Sequence, residues 1–346
     1  MRRINIILVV TLAAIISFAG CKKAEDINNS EMPLKAVGTQ PGIEASTTIR
    51  TFATFALLDA EVAKTIEFSY DDLVTYEQSI RFNSYGKVAD QRMVEVLKEV
   101  DYYETMSDTV MATTMVTTMI TQLLNQHSAY IHMVSDENGE QSCETKYFKS
   151  LYRYVMNMNR MFKVDTLYFK VFEGGHASCG ASNYNALSNL TEQQFVLLDE
   201  NDPIFDVFKY DDGGRGFYTY LYKKETSGKN RVQVSIEPML YSKKYVGNGN
   251  WYIRGGYYVK TWGQHKTFGI WWNVKHNYTN DLTAKIAVGY SLRTGTDKGT
   301  TYGYKREKWM LYLDETAYYY ENPEVCISTC SGYGKTPGIT CYMNYN

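Results

Sequence analysis

The stretch Leu282-Thr283-Ala284-Lys285-Ile286-Ala287-Val288-Gly289-Tyr290-Ser291-Leu292 sets the reading of the fold. Leu282, Ala284, Ile286, Val288, Tyr290 and Leu292 fall on one side of an extended chain, because successive strand residues point to opposite faces. Working outward, Gly295–Gly299 predicts a turn, and Trp309, Leu311 and Leu313 share a face beyond it. Upstream, Tyr257–Trp262 and Thr267–Val274 flank Gly263-Gln264-His265-Lys266, a second predicted turn. Gly247-Asn248-Gly249-Asn250 is a strong hairpin signal. Val232, Val234 and Ile236 alternate, Thr226–Asn230 turns, and Tyr218, Tyr220 and Tyr222 alternate with Phe217, Thr219 and Leu221. Short alternating strands with close turns predict an antiparallel sandwich or barrel over residues 206–346.

The period differs before that point. Ser69-Tyr70-Asp71-Asp72 reads as a helix N-cap with acids in the first turn. Ala89, Met93, Val96, Leu97 and Val100 form a helical stripe. Over Asp108–Asn125, Met111, Met115, Met119 and Leu123 make one row and Ala112, Val116, Ile120 and Leu124 the next, a broad apolar face suited to a core. Ala129–Val134 and Phe162–Phe172 read as strands, and Tyr147–Met156 as a helix. The expected fold class is α+β. A helix-rich α+β region at 49–205 precedes the antiparallel β region, with the boundary near the Asp- and Gly-rich segment Asp199–Gly216.

The first residues give an address. Arg2 and Arg3 precede an apolar run at Ile4–Phe18, too short for a comfortable membrane span and ending in Ala19-Gly20-Cys21. This resembles a bacterial lipoprotein signal. The resemblance implies removal of residues 1–20 and lipid attachment at Cys21, with 21–48 as a flexible tether. Lys22 directly after Cys21, with Glu25 and Asp26 close behind, resembles lipoproteins sorted to the outer membrane and exported to its outer surface. Loss of Arg2 and Arg3 takes the formal charge from −2 to −4, and no basic block stands out, so nucleic acid is an unexpected partner. The 31 Tyr, 14 Phe and 5 Trp favour strands.

The run Leu151-Tyr152-Arg153-Tyr154-Val155-Met156-Asn157-Met158-Asn159-Arg160-Met161-Phe162 with Tyr168-Phe169-Lys170-Val171-Phe172 is similar to an uncharacterised group of Bacteroidota lipoproteins. Tyr76-Glu77, Arg81-Phe82-Asn83-Ser84 and Phe268-Gly269-Ile270-Trp271-Trp272 carry the same resemblance. It implies origin and architecture and no activity.

Candidate chemistry is sparse. Gly174-Gly175-His176-Ala177-Ser178-Cys179-Gly180 puts His, Ser and Cys on one stretch, but two residues separate Gly from Ser, so the nucleophile-elbow spacing fails. A Cys179 nucleophile with His176 as base is the hydrolase alternative. An exported protein can form disulfides. Cys143 can bridge Cys179, and Cys326, Cys330 and Cys341 crowd together for a local bridge. With Cys21 lipidated, five thiols remain, so at least one stays free or pairs between chains. The spacing C-x3-C-x10-C lacks a fourth zinc ligand nearby, so neither metal nor cofactor is expected. Trp251, Trp262, Trp271, Trp272 and Trp309 all lie in the β half. Adjacent Trp271 and Trp272 must point to opposite faces of a regular strand. Exposed Trp and Tyr make flat platforms for glycans or proteins, with Trp251, Trp262, Trp271 and Trp272 as the candidate contacts. The expected role is therefore non-enzymatic binding of a glycan or protein by an outer-membrane, outward-facing lipoprotein. The rivals are the hydrolase and a structural or adhesion component of the envelope.

Overall fold

A computed structural model describes residues 46–345, apart from 107, 137, 149, 200–201, 210–219 and 319–324. The expected signal, Cys21 and most of the expected tether lie outside the described residues, as does half of the Asp- and Gly-rich segment Asp199–Gly216. Strand β1 (Thr51–Phe52) leads into four helices: α1 (Phe55–Glu67), α2 (Tyr70–Ser79), α3 (Tyr85–Glu104) and α4 (Thr109–Gln126). Their starts follow from side-chain capping. Thr54, Ser69, Ser84 and Asp108 each accept a backbone N–H of the first turn. In α4, Ala112, Val116, Met119 and Leu123 are buried, so its apolar face serves the core. Its threonines face out and satisfy their hydroxyls on carbonyls one turn back, as Thr117 does on Thr113.

Next come β2 (Ile131–Ser135), β3 (Gln141–Thr145), β4 (Met161–Val164), β5 (Leu167–Phe172), β6 (Gly175–Cys179), the short helices α5 (Tyr184–Asn189) and α6 (Glu192–Leu197), and β7 (Asp206–Lys209). The helix expected at Tyr147–Met156 is only a 3-10 turn at Leu151–Tyr154. All four of its residues are buried, so a helical stripe has no solvent side there to define it. The remaining strands are β8 (Leu221–Ser227), β9 (Asn230–Gly247), β10 (Asn250–Thr267), β11 (Ile270–Asn273), β12 (His276–Val288), β13 (Ser291–Gly303), β14 (Lys305–Tyr318), β15 (Val325–Thr336) and β16 (Ile339–Tyr345).

Three open sheets result, in the orders β1-β4-β5-β6-β7, β2-β3-β11-β10-β9-β8 with β14 also on β10, and β13-β12-β15-β16. Among the described residues none closes on itself, so the barrel alternative falls. Val232, Val234 and Ile236 of β9, Ile253, Tyr257 and Val259 of β10, and Met310 and Leu313 of β14 share one apolar core with Leu282, Ala284, Ile286 and Val288 of β12. Cys330 of β15 and Cys341 of β16 lie in that same core.

Two turns differ from expectation. Gly263–Lys266 continues β10, and the chain reverses at Phe268-Gly269 instead, where both residues have positive φ. Gly295–Gly299 lies inside β13, and the reversal is Gly289-Tyr290, which leaves Tyr290 84% exposed. The two in-strand glycines serve close approach rather than turning. A Cβ on Gly295 would stand 2.7 Å from Met310 O, and one on Gly263 would stand 3.1 Å from Tyr278 Oη.

Strand pairing and core packing cross the boundary expected at 205/206. Residues 41–346 form one compact unit. β3 pairs in parallel with β11, so the β2–β3 hairpin extends the sheet of the later half. Tyr258 and Trp272 are buried in the core that α1, α3 and α4 cover.

Candidate functional site

The site is built on the face of β8, β9 and β10 opposite their apolar core. Strand alternation puts Arg231, Gln233, Ser235 and Glu237 on that face, between Val232, Val234 and Ile236 on the other. Register then sets cross-strand rows. Tyr222, Ser235 and Lys260 form one, Lys224, Gln233 and Trp262 the next, and Thr226, Arg231 and Gln264 the third. Ordinarily the polar face of such a sheet meets water. Here Arg231, Gln233, Ser235, Glu237, Lys260 and Gln264 are all buried.

The β2–β3 hairpin and Phe148 cover this face. Arg231 joins hairpin to sheet: Nη1 donates to Glu140 Oε2 at 3.2 Å, Nη2 to Ser142 Oγ at 3.1 Å, and Nε to Gln264 Oε1 at 2.7 Å. Gln264 passes the network on to Asn273 of β11 at 2.9 Å. Lys224 Nζ reaches Asp136 Oδ2 at 3.2 Å, tying the hairpin turn to β8. The ammonium of Lys266, 3.1 Å from Glu140, is the main cause holding that carboxyl below its usual range.

Between hairpin and sheet lies a cleft of about 500 Å³ whose lining includes Phe148, Tyr220, Tyr222, Gln233, Lys260 and Trp262. Trp262 is its floor, only 9% exposed, with Phe148 edge-on at 6.3 Å and Tyr222 at 6.2 Å. At the mouth, Tyr222 of β8 and Tyr220, just before that strand, stand two residues apart. Their rings are 8° from parallel with centroids 6.3 Å apart, and they are 50% and 38% exposed. The Tyr222 hydroxyl donates to Gln233 Oε1, which fixes the ring's tip, and burial pushes that hydroxyl up to about 12. Deeper in, Glu237 accepts from Ser235 Oγ at 2.5 Å and from the Tyr258 hydroxyl. Lys260 Nζ donates to Phe148 O at 3.2 Å and sits 4.1 Å from the Phe148 ring centroid.

Of the four expected tryptophan contacts, this cleft takes Trp262 alone. Trp271 and Trp272 do point to opposite faces, but both faces are covered, leaving them 3% and 1% exposed. Trp272 joins the helix-covered core, and Trp271 lies under the Arg231 guanidinium at 4.2 Å. Trp251 packs edge-on against Tyr245 eleven residues up β10, roughly 36 Å from Trp262 at strand rise. The sequence reading did not single out Arg231, Gln233, Glu237 or Lys260 as site residues. In a strand pattern such positions read as the solvent side, and only the covering hairpin makes them a site.

The hydrolase pair does not meet. His176 and Cys179 are three residues apart on β6, which places them on opposite faces. His176 packs among Tyr152, Phe169 and Phe208, whereas Cys179 joins the small core with Leu187 and Phe195. Burial raises the Cys179 thiol, away from a nucleophile's range. The expected Cys143–Cys179 bridge is absent: both thiols are free, on strands of different sheets. Near the C-terminus Cys330 and Cys341 are also free, buried in the β core and pushed by that burial up to about 11. Cys326 stands on the same strand as Cys330 and is half-buried. No group of three or more His, Cys, Asp or Glu side chains is placed to hold a metal ion among the described residues.

No protein-family model and no curated protein matches the chain. Among solved structures, the chain is similar to a DUF4848 family protein from Bacteroides thetaiotaomicron. The identity is 13% over 86% of this chain and 96% of that one, with a TM-score of 0.29. A score at that level carries no weight for fold or function, so the reading of the cleft rests on its own geometry.

Proposed function

We propose that the protein is a glycan-binding protein of the cell envelope, held at Cys21 by lipid to the outer membrane and facing outward, and that the sugar lies in the cleft over Trp262. The near-parallel, exposed Tyr220 and Tyr222 rings at the cleft mouth support this most. Sugar rings carry apolar C–H faces and polar rims. Aromatic faces take the first, and an amide and charged groups such as Gln233, Lys224 and Glu237 take the second. In the cleft lining, three carboxylates (Asp136, Glu144, Glu237) stand against Lys224 and Arg231, with Lys260 already paired to Glu307 behind the floor, which suits a neutral rather than an acidic sugar.

The test is a glycan array followed by calorimetry on the purified chain. Replacing Tyr220 by Ala should weaken binding by about 5- to 10-fold, and Tyr220→Ala with Tyr222→Ala by about 50-fold. Trp262→Ala should abolish it while the circular dichroism spectrum stays unchanged. An array with no sugar above background, or sugar binding indifferent to all three rings, defeats the reading. The membrane half has its own check: labelled palmitate should attach to the wild-type chain in its native cell and not to a Cys21→Ala variant.

A further inference from the structure

Behind the cleft floor lies a group of charges that the sugar reading does not use. Lys260 and Lys305 both pair with Glu307, at 3.3 and 2.7 Å. Both ammonium groups also lie over the Phe148 ring, at 4.1 and 4.7 Å. Arg153, on the 3-10 turn, pairs with Asp90 of α3 and stacks on Tyr154 at 4.9 Å and on Phe148 at 5.4 Å. Asp90 also accepts from the Tyr154 hydroxyl at 2.9 Å. All five charged side chains are nearly or fully out of water, with 1% exposure for Arg153 and Lys260, 2% for Glu307, 8% for Lys305 and 11% for Asp90.

The charges do not balance. Three cations face two carboxylates. Arg153 has a second difficulty: its Nη2 donates to Asp90 and to Gly86 O, but its Nε and Nη1 find no acceptor among the described residues. The aromatic faces beside it attract a cation but offer no lone pair. Lys305 Nζ has Glu307 as its ion-pair partner at 2.7 Å, a carboxylate it shares with Lys260. A buried, uncompensated charge is costly, and buried donors without acceptors add to that cost. A protein can answer in two ways: it can bind a counter-charge, or it can release a proton from a lysine. Burial is the largest cause driving Lys305 down to about 7, with Arg153 and Lys260 pushing the same way, so the second answer is chemically open.

We propose that Arg153, Lys260 and Lys305 form a binding site for a small monovalent anion, set directly behind Phe148 and the cleft floor. Two sources share this chemistry: a free halide, or a carboxylate group of a ligand reaching past Lys260 from the cleft. The two unmatched guanidinium donors supply directed hydrogen bonds, and the two ammonium groups supply charge. Neither the sugar's identity nor its binding is needed for this site.

The experiment measures the thermal midpoint of the full chain in sodium chloride, bromide, formate and gluconate at equal ionic strength and pH 7. Gluconate is too bulky for a closed site. Chloride and bromide should raise the midpoint by roughly 2–4 °C over gluconate and saturate with concentration. Lys305→Met, which restores charge balance without an anion, should erase that difference. Crystals soaked in bromide should show an anomalous peak among Arg153, Lys260 and Lys305. A saturable rise with formate alone assigns the site to carboxylates. Equal midpoints in all four salts, together with no bromide peak, overturn the proposal and leave a neutral Lys305 as the answer. The wild-type series decides the matter even if Lys305→Met does not fold.

Discussion

Lys170 shows how one side chain can tie stability to pH. It lies buried on β5, with Nζ donating to Ser188 O at 2.6 Å and Leu190 O at 2.8 Å. Burial, reinforced by Arg160 and opposed by Glu192, brings its pKa down to about 8. A lysine ordinarily titrates near 10.4. Below pH 8 both folded and unfolded chains carry the proton, and the cost of burying the cation is felt in full. Between about 8 and 10 the folded chain has released it while the unfolded chain still holds it, so stability rises with pH across that window. Lys305, driven to about 7, adds a rise of its own in the same window, so Lys170→Met should remove on the order of 2 kcal/mol of the combined rise in urea unfolding and leave the remainder. An equally steep profile in the variant would assign the effect to other groups. At this scale the sequence was partly legible. Opposite directions for Trp271 and Trp272 follow from strand geometry alone. Their joint burial does not, because it depends on Arg231 of another strand closing over one of them.

Among the elements, β10 carries the most constraints. It pairs with β9 along one edge and with β14 and then β11 along the other. At Gly256 the β14 backbone comes so close that a Cβ would stand 1.9 Å from Leu311 O. Gly256→Ala should therefore force the strands apart and cost about 3 kcal/mol, read as a drop in the urea midpoint with unchanged slope. A loss within error of zero would mean that the sheet yields there. The hairpin joining β9 to β10 was legible because Gly-Asn-Gly-Asn needs positive φ, and Gly247, Asn248 and Gly249 all adopt it. The turn at Phe268-Gly269 was hidden, since a bulky aromatic in the left-handed region runs against the usual signal.

For the whole chain, α+β character could be read from the change of period, because each half answers to its own local geometry. The junction could not, since strand pairing between residues 141–145 and 270–273 is non-local and leaves no mark on either segment. One consequence is testable. A fragment of residues 206–346 would leave Tyr258 and Trp272 without the helices that bury them. Two such rings expose roughly 150–250 Å² each, about 4–6 kcal/mol apiece at 25 cal/mol/Å². That compares with about 5–15 kcal/mol for an entire domain. The fragment should therefore show no cooperative thermal transition, whereas residues 41–346 should show one. A sharp transition from the fragment alone would restore the two-domain picture.

The burial of Trp271 and Trp272, set against the position of Trp262, also gives the molecule a built-in optical gauge. Indoles shielded from solvent emit at short wavelength and resist collisional quenchers, so the buried pair reports on whether the interior is intact. Trp262, with its edge at the cleft floor, is the indole that an arriving ligand would shade. With the half-buried Trp251 and Trp309 replaced by Phe, the emission spectrum would separate ligand entry from unfolding with no label attached.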